Sequence, residues 1–224
     1  MRKRYKQGNQ HEGMQWAHIL LFLLLSANIW VIHENVCMRR LEGIERRDYV
    51  KQYKYTDKEI KTLMSDIVVL VDTREKQNSH ILDYFTKNHI AYERTALNYG
   101  DYSFYIPAAA AGENIYFHRD IVIERKATLE ELSGNLVQER ERFEKEFLKA
   151  GNDGAKIYLM VEESGGYSAI IGHNYRTQLA PAAYMASLKA WEARFHCNVQ
   201  FIDKKYSGYY LMATFQYYAR EALK

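Results

Sequence analysis

The sequence predicts an α/β fold, in which a mixed central β-sheet is flanked by helices. Three observations lead to this prediction. From residue 66 onward, apolar runs rich in β-branched residues recur, amphipathic segments separate them, and helix-capping residues stand where those segments begin. Such alternation of strands and helices favours a sheet covered by helices. The 224 residues are 47% hydrophobic and 26% charged, which indicates a globular chain and excludes a largely disordered one.

The first half of this region predicts strands and one helix. The run DIVVLVD at 66–72 is continuous and β-branched, as expected of a strand buried on both faces. Ser79 is an N-cap for an amphipathic helix through HILDYFTKNHI. Residues 91–107 alternate like two antiparallel strands that turn near Gly100, and residues 115–126 predict a further strand.

The second half predicts helices and two further strands. Thr128 and Glu131 form a capping box that begins a helix, expected to continue to about residue 150 despite an internal glycine. Residues 156–163, KIYLMVEE, predict another buried strand. Pro181 suits the first turn of the next helix. A short strand, NVQFID, and an aromatic-rich helix over 207–222 complete the region.

Cysteine usage and charge limit the classes of function. Cys37 and Cys197 show no paired or C-x-x-C spacing, so the sequence indicates neither a disulfide framework nor a zinc site, and we expect a reduced, cytoplasmic setting. Residues 1–65 hold 12 Lys and Arg against 7 Asp and Glu, whereas residues 66–224 hold 19 against 21. A nucleic-acid site in the second part must therefore be a local patch.

Residues 1–38 form an apolar N-terminal extension whose role the sequence leaves open. The run at 17–32 has sixteen residues, slightly fewer than the roughly 20 that span a bilayer core. It fits a membrane anchor, or a packed or disordered helical extension. A third interpretation places the true start of translation at Met38 or Met64, and we favour it because the chemistry predicted below needs no membrane.

Residues 39–65 are highly charged, with few apolar positions. Thr56 and Glu59 have capping-box spacing and predict a short helix there. We interpret this segment as a solvated linker helix that precedes the α/β domain over 66–224.

Acidic residues end or border several apolar strands. Asp72 ends the first strand, and Asp101 follows the turn at Gly100. Glu124 ends the strand at 121–123, and Lys126, two residues later, lies on the same face as Glu124. Carboxylates gathered at buried strand ends repel one another unless something compensates their charge, and Mg²⁺ or Mn²⁺ prefers such oxygen ligands. Lys126 is then placed to hold the water that attacks a phosphodiester. A single acidic residue at a strand end is more often a helix cap or a surface charge. The metal site is therefore predicted from the three acidic residues and Lys126 together.

Three short words of sequence carry a resemblance to a known family. VDTRE (71–75), GDY (100–102) and IERK (123–126) occur in this order and resemble the XPF-type nuclease domain, also called the excision-repair cross-complementing group 4 domain. That family belongs to the PD-(D/E)xK nuclease superfamily. The resemblance covers residues 66–224, and it implies a restriction-endonuclease-like fold.

The resemblance implies a metal-dependent DNA endonuclease with Mg²⁺ or Mn²⁺ as cofactor. It implies that Asp72, Asp101 and Glu124 hold the metal, and that Asp101, Glu124 and Lys126 are catalytic. It also implies a set of residues that line the cleft, where the arginines neutralise phosphate or pair with carboxylates. These are Arg74, Glu75, Arg125, and either Arg140 or Arg142.

Two departures from the family pattern keep alternatives open. Matching the helix after IERK requires one inserted residue, so Arg140 and Arg142 are equal candidates for the phosphate contact. The chain has no room for the tandem helix-hairpin-helix modules of cellular members, so selectivity for flap, fork or branched DNA is open, as are a homodimer and a partner protein. Repair, recombination and mobile-element replication all remain open as pathways.

The alternative function is a catalytically silent DNA-binding or scaffold subunit of a nuclease complex.

Overall fold

The central element of the protein is one mixed β-sheet of seven strands, which the computed structural model places within its described residues, 55–224. The strands β1 and β5 in the middle of the sheet are almost entirely buried, as their continuous apolar sequences predicted. In chain order the strands are β1 (Val68–Asp72), β2 (Ala91–Thr95), β3 (Tyr102–Ile106), β4 (Ile115–Tyr116), β5 (Ile121–Lys126), β6 (Lys156–Val161) and β7 (Asn198–Phe201).

The strand order across the sheet is β2-β1-β3-β5-β6-β7, with β4 paired to β3. β1 pairs in parallel with β2 and antiparallel with β3, and β3 is antiparallel to β5. The strands β5, β6 and β7 are parallel. The predicted mixed α/β sheet is therefore confirmed. The prediction of an antiparallel hairpin turning near Gly100 is wrong, because β1 lies between β2 and β3 and pairs with both.

Helices cover both faces of the sheet. In chain order they are α1 (Asp57–Ser65), α2 (Ser79–Lys87), α3 (Ala108–Ala111), α4 (Leu129–Val137), α5 (Arg140–Asp153), α6 (Gly166–Ile171), α7 (Pro181–Phe195) and α8 (Ser207–Leu223). The helices α1, α2 and α8 contribute to the core on one face. The helices α4 to α7 contribute to a second core on the other face.

Alternation along β5 decides which side chains reach each core. Ile123 packs in the core with α1, α2 and α8, whereas Val122 packs in the core with α4 to α7. Side chains of a strand alternate between the two faces. Glu124 and Lys126 therefore share the face of Val122, and Arg125 shares the face of Ile123.

The first described helix begins at the predicted capping box. The side chain of Thr56 accepts from the backbone N–H of Glu59, and the Glu59 carboxylate accepts from the backbone N–H of Thr56 at 2.8 Å. Ile60 and Leu63 are buried in the core shared with α8. This short helix is thus packed against the sheet domain.

The segment after β5 forms two helices where the sequence predicted one. The carbonyl of Gly134 accepts from the backbone N–H groups of both Gln138 and Glu139, at 2.9 and 3.0 Å, and this shared bond ends α4. The next helix, α5, begins at Arg140. The break allows the two helices to cover different parts of the same sheet face.

Within residues 55–224, no helix is long and apolar enough to span a membrane. The apolar run at 17–32, with the remainder of 1–38 and residues 39–54, lies outside the described residues.

Candidate active site

Three acidic residues lie at one end of the sheet, because the start of β3 lies beside the ends of β1 and β5. Asp72 ends β1, Glu124 is in the second half of β5, and Asp101 immediately precedes β3. The carbonyl of Asp101 accepts from the backbone N–H of Asp72 at 2.8 Å, and its N–H donates to the carbonyl of Ile123 at 2.9 Å. Its carboxylate accepts from the backbone N–H of Arg125 at 2.8 Å. These bonds fix Asp101 between β1 and β5.

Gly100 allows the tight approach that places Asp101. Its φ of +70° lies in the left-handed region, which favours glycine. A Cβ atom there would stand 2.8 Å from the Cβ of Val122 on β5. The glycine of the GD pair is therefore required by both conformation and space.

Glu124 and Lys126 form a buried ion pair on the face of α4 and α5. Each residue is only 6% exposed, and the Lys126 Nζ donates to Glu124 Oε1 at 2.8 Å. The same ammonium lies 3.7 Å from Glu131 Oε1 and 4.9 Å from the centre of the Phe143 ring. The helix that follows β5 and the first turn of α5 thus hold the lysine in place.

The carboxylates at this end of the sheet are incompletely neutralised. Burial raises the pKa of Asp101 well above its usual value, and the neighbouring Glu124 carboxylate raises it further. Burial alone would lower the pKa of Lys126, but Glu124 and Asp101 outweigh it and raise that pKa. Lys126 therefore stays an ammonium at neutral pH, which makes it a hydrogen-bond donor and a fixed positive charge.

Asp72 lies at the edge of this group with both carboxylate oxygens engaged. Arg74 donates from Nε to Oδ1 at 2.7 Å and from Nη2 to Oδ2 at 3.2 Å. The backbone N–H of Leu97 donates to Oδ2 at 2.7 Å. Burial would raise the pKa of Asp72, but these donors lower it, so the carboxylate stays ionised. The guanidinium of Arg74 is held with its side chain 60% exposed at the mouth of the cleft.

Arg125 points to the opposite face of β5 and is buried in a separate network. Its guanidinium makes two bonds to Glu162, from Nε to Oε1 at 2.9 Å and from Nη2 to Oε2 at 2.7 Å. Glu75, another predicted cleft residue, lies 3.5 Å from Arg125 Nη1. Glu162 also bonds with His80 Nε2 at 2.6 Å and accepts from Ser207 Oγ at 2.7 Å. The structure therefore turns the Arg125 guanidinium away from the Glu124–Lys126 pair, whereas Glu75 still interacts electrostatically with Glu124 and Asp101.

The two candidate arginines of α5 have different surroundings. Arg140 lies over the ring of Trp191, with 5.5 Å between its guanidinium carbon and the ring centre. Arg142 is 70% exposed and pairs with Glu139. The charge of Arg142 also acts on Glu146, a carboxylate on the same helix, and lowers its pKa against the stronger effect of burial. Arg142 thus interacts electrostatically with a carboxylate of the cleft.

Sequence reasoning missed several residues that the fold brings to this region. Glu162 follows β6 just as Glu124 stands near the end of β5, so the same strand-end signal could have identified it. Helix α5 brings Glu146 to the Arg74 side of the cleft, 3.8 Å from Arg74 Nη1. No pattern in the sequence indicates His80 or Ser207, which become partners of Glu162 only through the fold.

The donors present fit a hard divalent cation in type and charge. Carboxylate oxygens are the ligands that Mg²⁺ and Mn²⁺ prefer, and the pKa of Asp101 is raised mainly by burial and further by the Glu124 carboxylate. Among the residues that the structure describes, no three His, Cys, Asp or Glu side chains already form a group able to hold a metal ion.

Comparison with known proteins identifies the family of this chain and solved structures of similar fold. The ERCC4 domain model matches residues 71–214, well over half of the chain. The XPF from Aeropyrum pernix is 17% identical, with a TM-score of 0.48 over 69% of this chain and 64% of that chain. The XPF from Aeropyrum pernix in complex with DNA is 16% identical, with a TM-score of 0.50 over 70% of this chain and 67% of that chain. No curated protein sequence matches significantly.

The sequence-based resemblance is confirmed by the matched domain. At these identities the likeness to the two solved structures concerns the fold, and this chain spans about two thirds of each.

Proposed function

This chain belongs to the ERCC4 domain family, and from that membership we propose that it is a divalent-metal-dependent DNA endonuclease that hydrolyses phosphodiester bonds. The observation that carries the proposal is the arrangement of Asp101, Glu124 and Lys126 at adjoining strand ends, where two carboxylates face a buried ammonium. The DNA in the complex of the Aeropyrum pernix XPF, which has the same fold, supports DNA as the polymer.

The proposed cofactor is Mg²⁺ or Mn²⁺, held by Asp101 and Glu124, with Asp72 contributing directly or through water. When bound, such an ion supplies Lewis-acid stabilisation of the phosphate charge and activates water at neutral pH. Asp72 has both oxygens engaged by Arg74 and Leu97, so we expect it to contribute mainly by fixing Arg74.

Lys126 orients the attacking water and places a positive charge beside the phosphate. Its raised pKa keeps it protonated, so it donates hydrogen bonds and does not act as the general base. Glu124 and Glu131 hold its ammonium within a low-polarity site lined by Phe143, where a fixed charge stabilises a developing negative charge strongly.

The exposed arginines are the proposed contacts for DNA phosphates. Arg74 and Arg142 present guanidinium groups to solvent near the carboxylates, a geometry suited to phosphate binding. Arg140 lies over Trp191, and we propose that it is the weaker contact of the two on α5. Arg125 is buried against Glu162, so its proposed role is to fix the end of β5.

Cleavage of a panel of flap, fork and linear DNA, with Mg²⁺ or with EDTA, tests this function. We expect cleavage that needs Mg²⁺, and the panel identifies the preferred DNA structure. Glu124→Gln and Lys126→Ala should each reduce cleavage by at least roughly 100-fold, the typical effect of a positioned catalytic group, while DNA binding persists. Full activity in either variant rejects the assignment. Wild-type protein that binds DNA and never cuts it would support the scaffold alternative.

A further inference from the structure

A short turn after β7 carries two lysines and an exposed tyrosine to the same edge of the sheet as the candidate active site. β1 and β3 are antiparallel, as are β3 and β5, so β1 runs in the direction of the parallel strands β5, β6 and β7. The ends of β1 and β5, which carry Asp72 and Glu124, therefore lie at the same edge as the end of β7. The chain leaves β7 at Phe201 and forms one turn of 3₁₀ helix, Lys204–Tyr206 (the 204–206 turn), before α8 begins.

The register of the sheet places this turn a short distance from Lys126. Lys126 lies opposite Val161 of β6, and Val161 lies opposite Phe201 of β7. Two strand spacings, about 10 Å, therefore separate Lys126 from Phe201. A stacked DNA strand advances about 3.4 Å per nucleotide, so a strand held at the cleft reaches the 204–206 turn within a few nucleotides.

Hydrogen bonds fix the turn to the end of β5. Ser207, the residue that follows the turn, donates from Oγ to Glu162 Oε1 at 2.7 Å. The same carboxylate oxygen accepts from Arg125 Nε on β5 at 2.9 Å. At the start of the turn, the side chain of Asp203 accepts from the backbone N–H of Lys205 at 3.1 Å. The turn is therefore held in a fixed position relative to β5.

The 204–206 turn exposes an aromatic ring next to positive charge. Tyr206 is 53% exposed, and Lys205 Nζ lies 4.8 Å from the centre of its ring. Lys205 also pairs with Asp203 at 3.0 Å, whereas the exposed Lys204 makes no ion pair within residues 55–224. Proteins bind single-stranded DNA with this combination, because a ring stacks on a base while a lysine contacts phosphate. The bases of a duplex are already stacked on one another, so the surface fits an unpaired strand.

We propose that the 204–206 turn binds an unpaired DNA strand that leads away from the scissile phosphate. Tyr206 stacks on a base, Lys204 contacts a phosphate, and Lys205 adds charge beside the ring. The strand crosses the edge of the sheet from the cleft to the turn, so the protein recognises DNA in which a single-stranded segment adjoins the cleavage point. This inference rests on the proposed endonuclease function and adds the class of DNA that the enzyme selects.

Binding without cleavage tests the stacking contact. Fluorescence anisotropy in EDTA measures the affinity of the full chain for a labelled oligothymidine strand, a blunt duplex and a fork with oligothymidine arms. Tyr206→Ala should weaken binding to the single strand and the fork at least about fivefold, the effect of losing one stacked base, and should change binding to the blunt duplex by less than about twofold. Tyr206→Phe keeps the ring and should bind like wild type. Tyr217→Ala removes another exposed tyrosine, farther along α8, and is the matched control that should also bind like wild type.

The salt dependence of binding tests the lysine contact. Lys204→Ala should reduce the slope of log affinity against log salt for the single strand by roughly 0.7, the value for one phosphate contact. Lys87→Ala is the matched control, because this exposed lysine ends α2 where the chain returns to the opposite edge of the sheet, and its slope should equal that of wild type. Tyr206 and Lys204 are exposed, so thermal unfolding of both variants should match wild type.

The outcomes distinguish this inference from the proposed function. Wild-type protein that does not bind the single strand, or Tyr206→Ala protein that binds it like wild type, overturns the inference, and Mg²⁺-dependent cleavage by wild type then still supports the endonuclease. Equal losses for the single strand and the blunt duplex in Tyr206→Ala also overturn it, because stacking on unpaired bases predicts a selective loss. A selective loss in Tyr206→Ala, with no cleavage by wild type in Mg²⁺, supports the strand-binding turn and rejects the endonuclease.

Discussion

Consecutive residues of β5 belong to different networks of charged residues, because the side chains of a strand alternate between the two faces of the sheet. Glu124 and Lys126 face α4 and α5 and form the buried pair of the cleft. Arg125, between them, faces α2 and α8 and bonds to Glu162. The charged end of this strand is therefore stable only because each face supplies its own counter-charges.

Removing one partner of the buried Arg125–Glu162 pair should strongly destabilise the fold, because the other charge stays buried. Glu162→Ala leaves the buried Arg125 with only Glu75 at 3.5 Å, and it also removes the partner of His80 and Ser207. Breaking a buried, hydrogen-bonded ion pair costs roughly 3–5 kcal/mol. Urea unfolding of the variant should show a loss of unfolding free energy in that range.

An exposed ion pair provides the control for this prediction. Glu221→Ala removes the surface partner of Lys224, and such pairs contribute little because solvent screens them. We expect no measurable change in its unfolding midpoint. Equal effects in the two variants would show that the buried network does not stabilise the fold as argued.

The sequence predicted part of this residue-scale picture. Period-two alternation places Glu124 and Lys126 on one face without any structure, and the glycine before Asp101 indicates a tight turn. The partners of Arg125 could not be predicted, since Glu162 and Ser207 reach it only after β6 pairs with β5 and α8 packs on the sheet. Spacing along the chain carries no information about those contacts.

At the scale of elements, Gly208 sets the distance between α8 and α2. A Cβ at Gly208 would lie 2.5 Å from Cδ1 of Tyr84 and 2.7 Å from its Cβ. Gly208→Ala gains at most about 1 kcal/mol of helix preference, whereas overpacking costs about 1–3 kcal/mol. We expect net destabilisation in thermal unfolding. In a Tyr84→Ala background the part of that cost that comes from the ring should disappear, while the part that comes from the Cβ of residue 84 should remain; an unchanged cost would contradict the clash with the ring.

Gly134, inside α4, gives the opposite expectation. A Cβ there would approach only the side-chain oxygen of Gln138, at 3.6 Å, which is ordinary contact. Replacing a helical glycine by alanine without a clash stabilises by roughly 0.5–1 kcal/mol, so Gly134→Ala should raise the Tm. A lower Tm would show that α4 needs the freedom of this glycine to end as it does.

The sequence predicted most strands and helices but not all of their relations. Residues 91–107 have the alternation of two strands, but alternation does not reveal pairing, and β1 lies between them. The break between α4 and α5 falls at Gln138 and Glu139, where neither proline nor glycine marks it. Tertiary packing of Phe143 and Phe147 on Trp191 accompanies that break. Such features depend on contacts distant in sequence.

For the whole molecule, the cleft concentrates negative charge that the cation-free fold tolerates at a cost. Burial raises the pKa values of Asp101 and Glu146, and the Glu124 carboxylate raises both further. Glu162 behaves in the opposite way, since Arg125, Ser207 and His80 outweigh its burial and lower its pKa. At neutral pH, ionisation of Asp101 and Glu146 therefore lowers the stability of the folded protein, whereas ionisation of Glu162 raises it.

Asp101→Asn should therefore stabilise the cation-free protein and abolish its activity. Asparagine still offers an oxygen to the N–H of Arg125, and it removes the repulsion with Glu124. Stabilising changes at strained functional sites commonly yield roughly 0.5–2 kcal/mol. Because the folded pKa of Asp101 is raised, its proton is bound at low pH and lost as pH rises through that pKa. The advantage of Asp101→Asn should be largest at neutral pH and shrink on acidification.

Unfolding measured across pH 5 to 8, with and without Mg²⁺, checks this behaviour. Mg²⁺ should stabilise wild type, since the cation offsets the repulsion among the carboxylates, and should stabilise Asp101→Asn much less. A cation-free Asp101→Asn protein that is less stable than wild type at neutral pH would show that the charge at this end of the sheet is already compensated. The fold would then have no need of a cation, and the case for one at this site would lose its electrostatic basis.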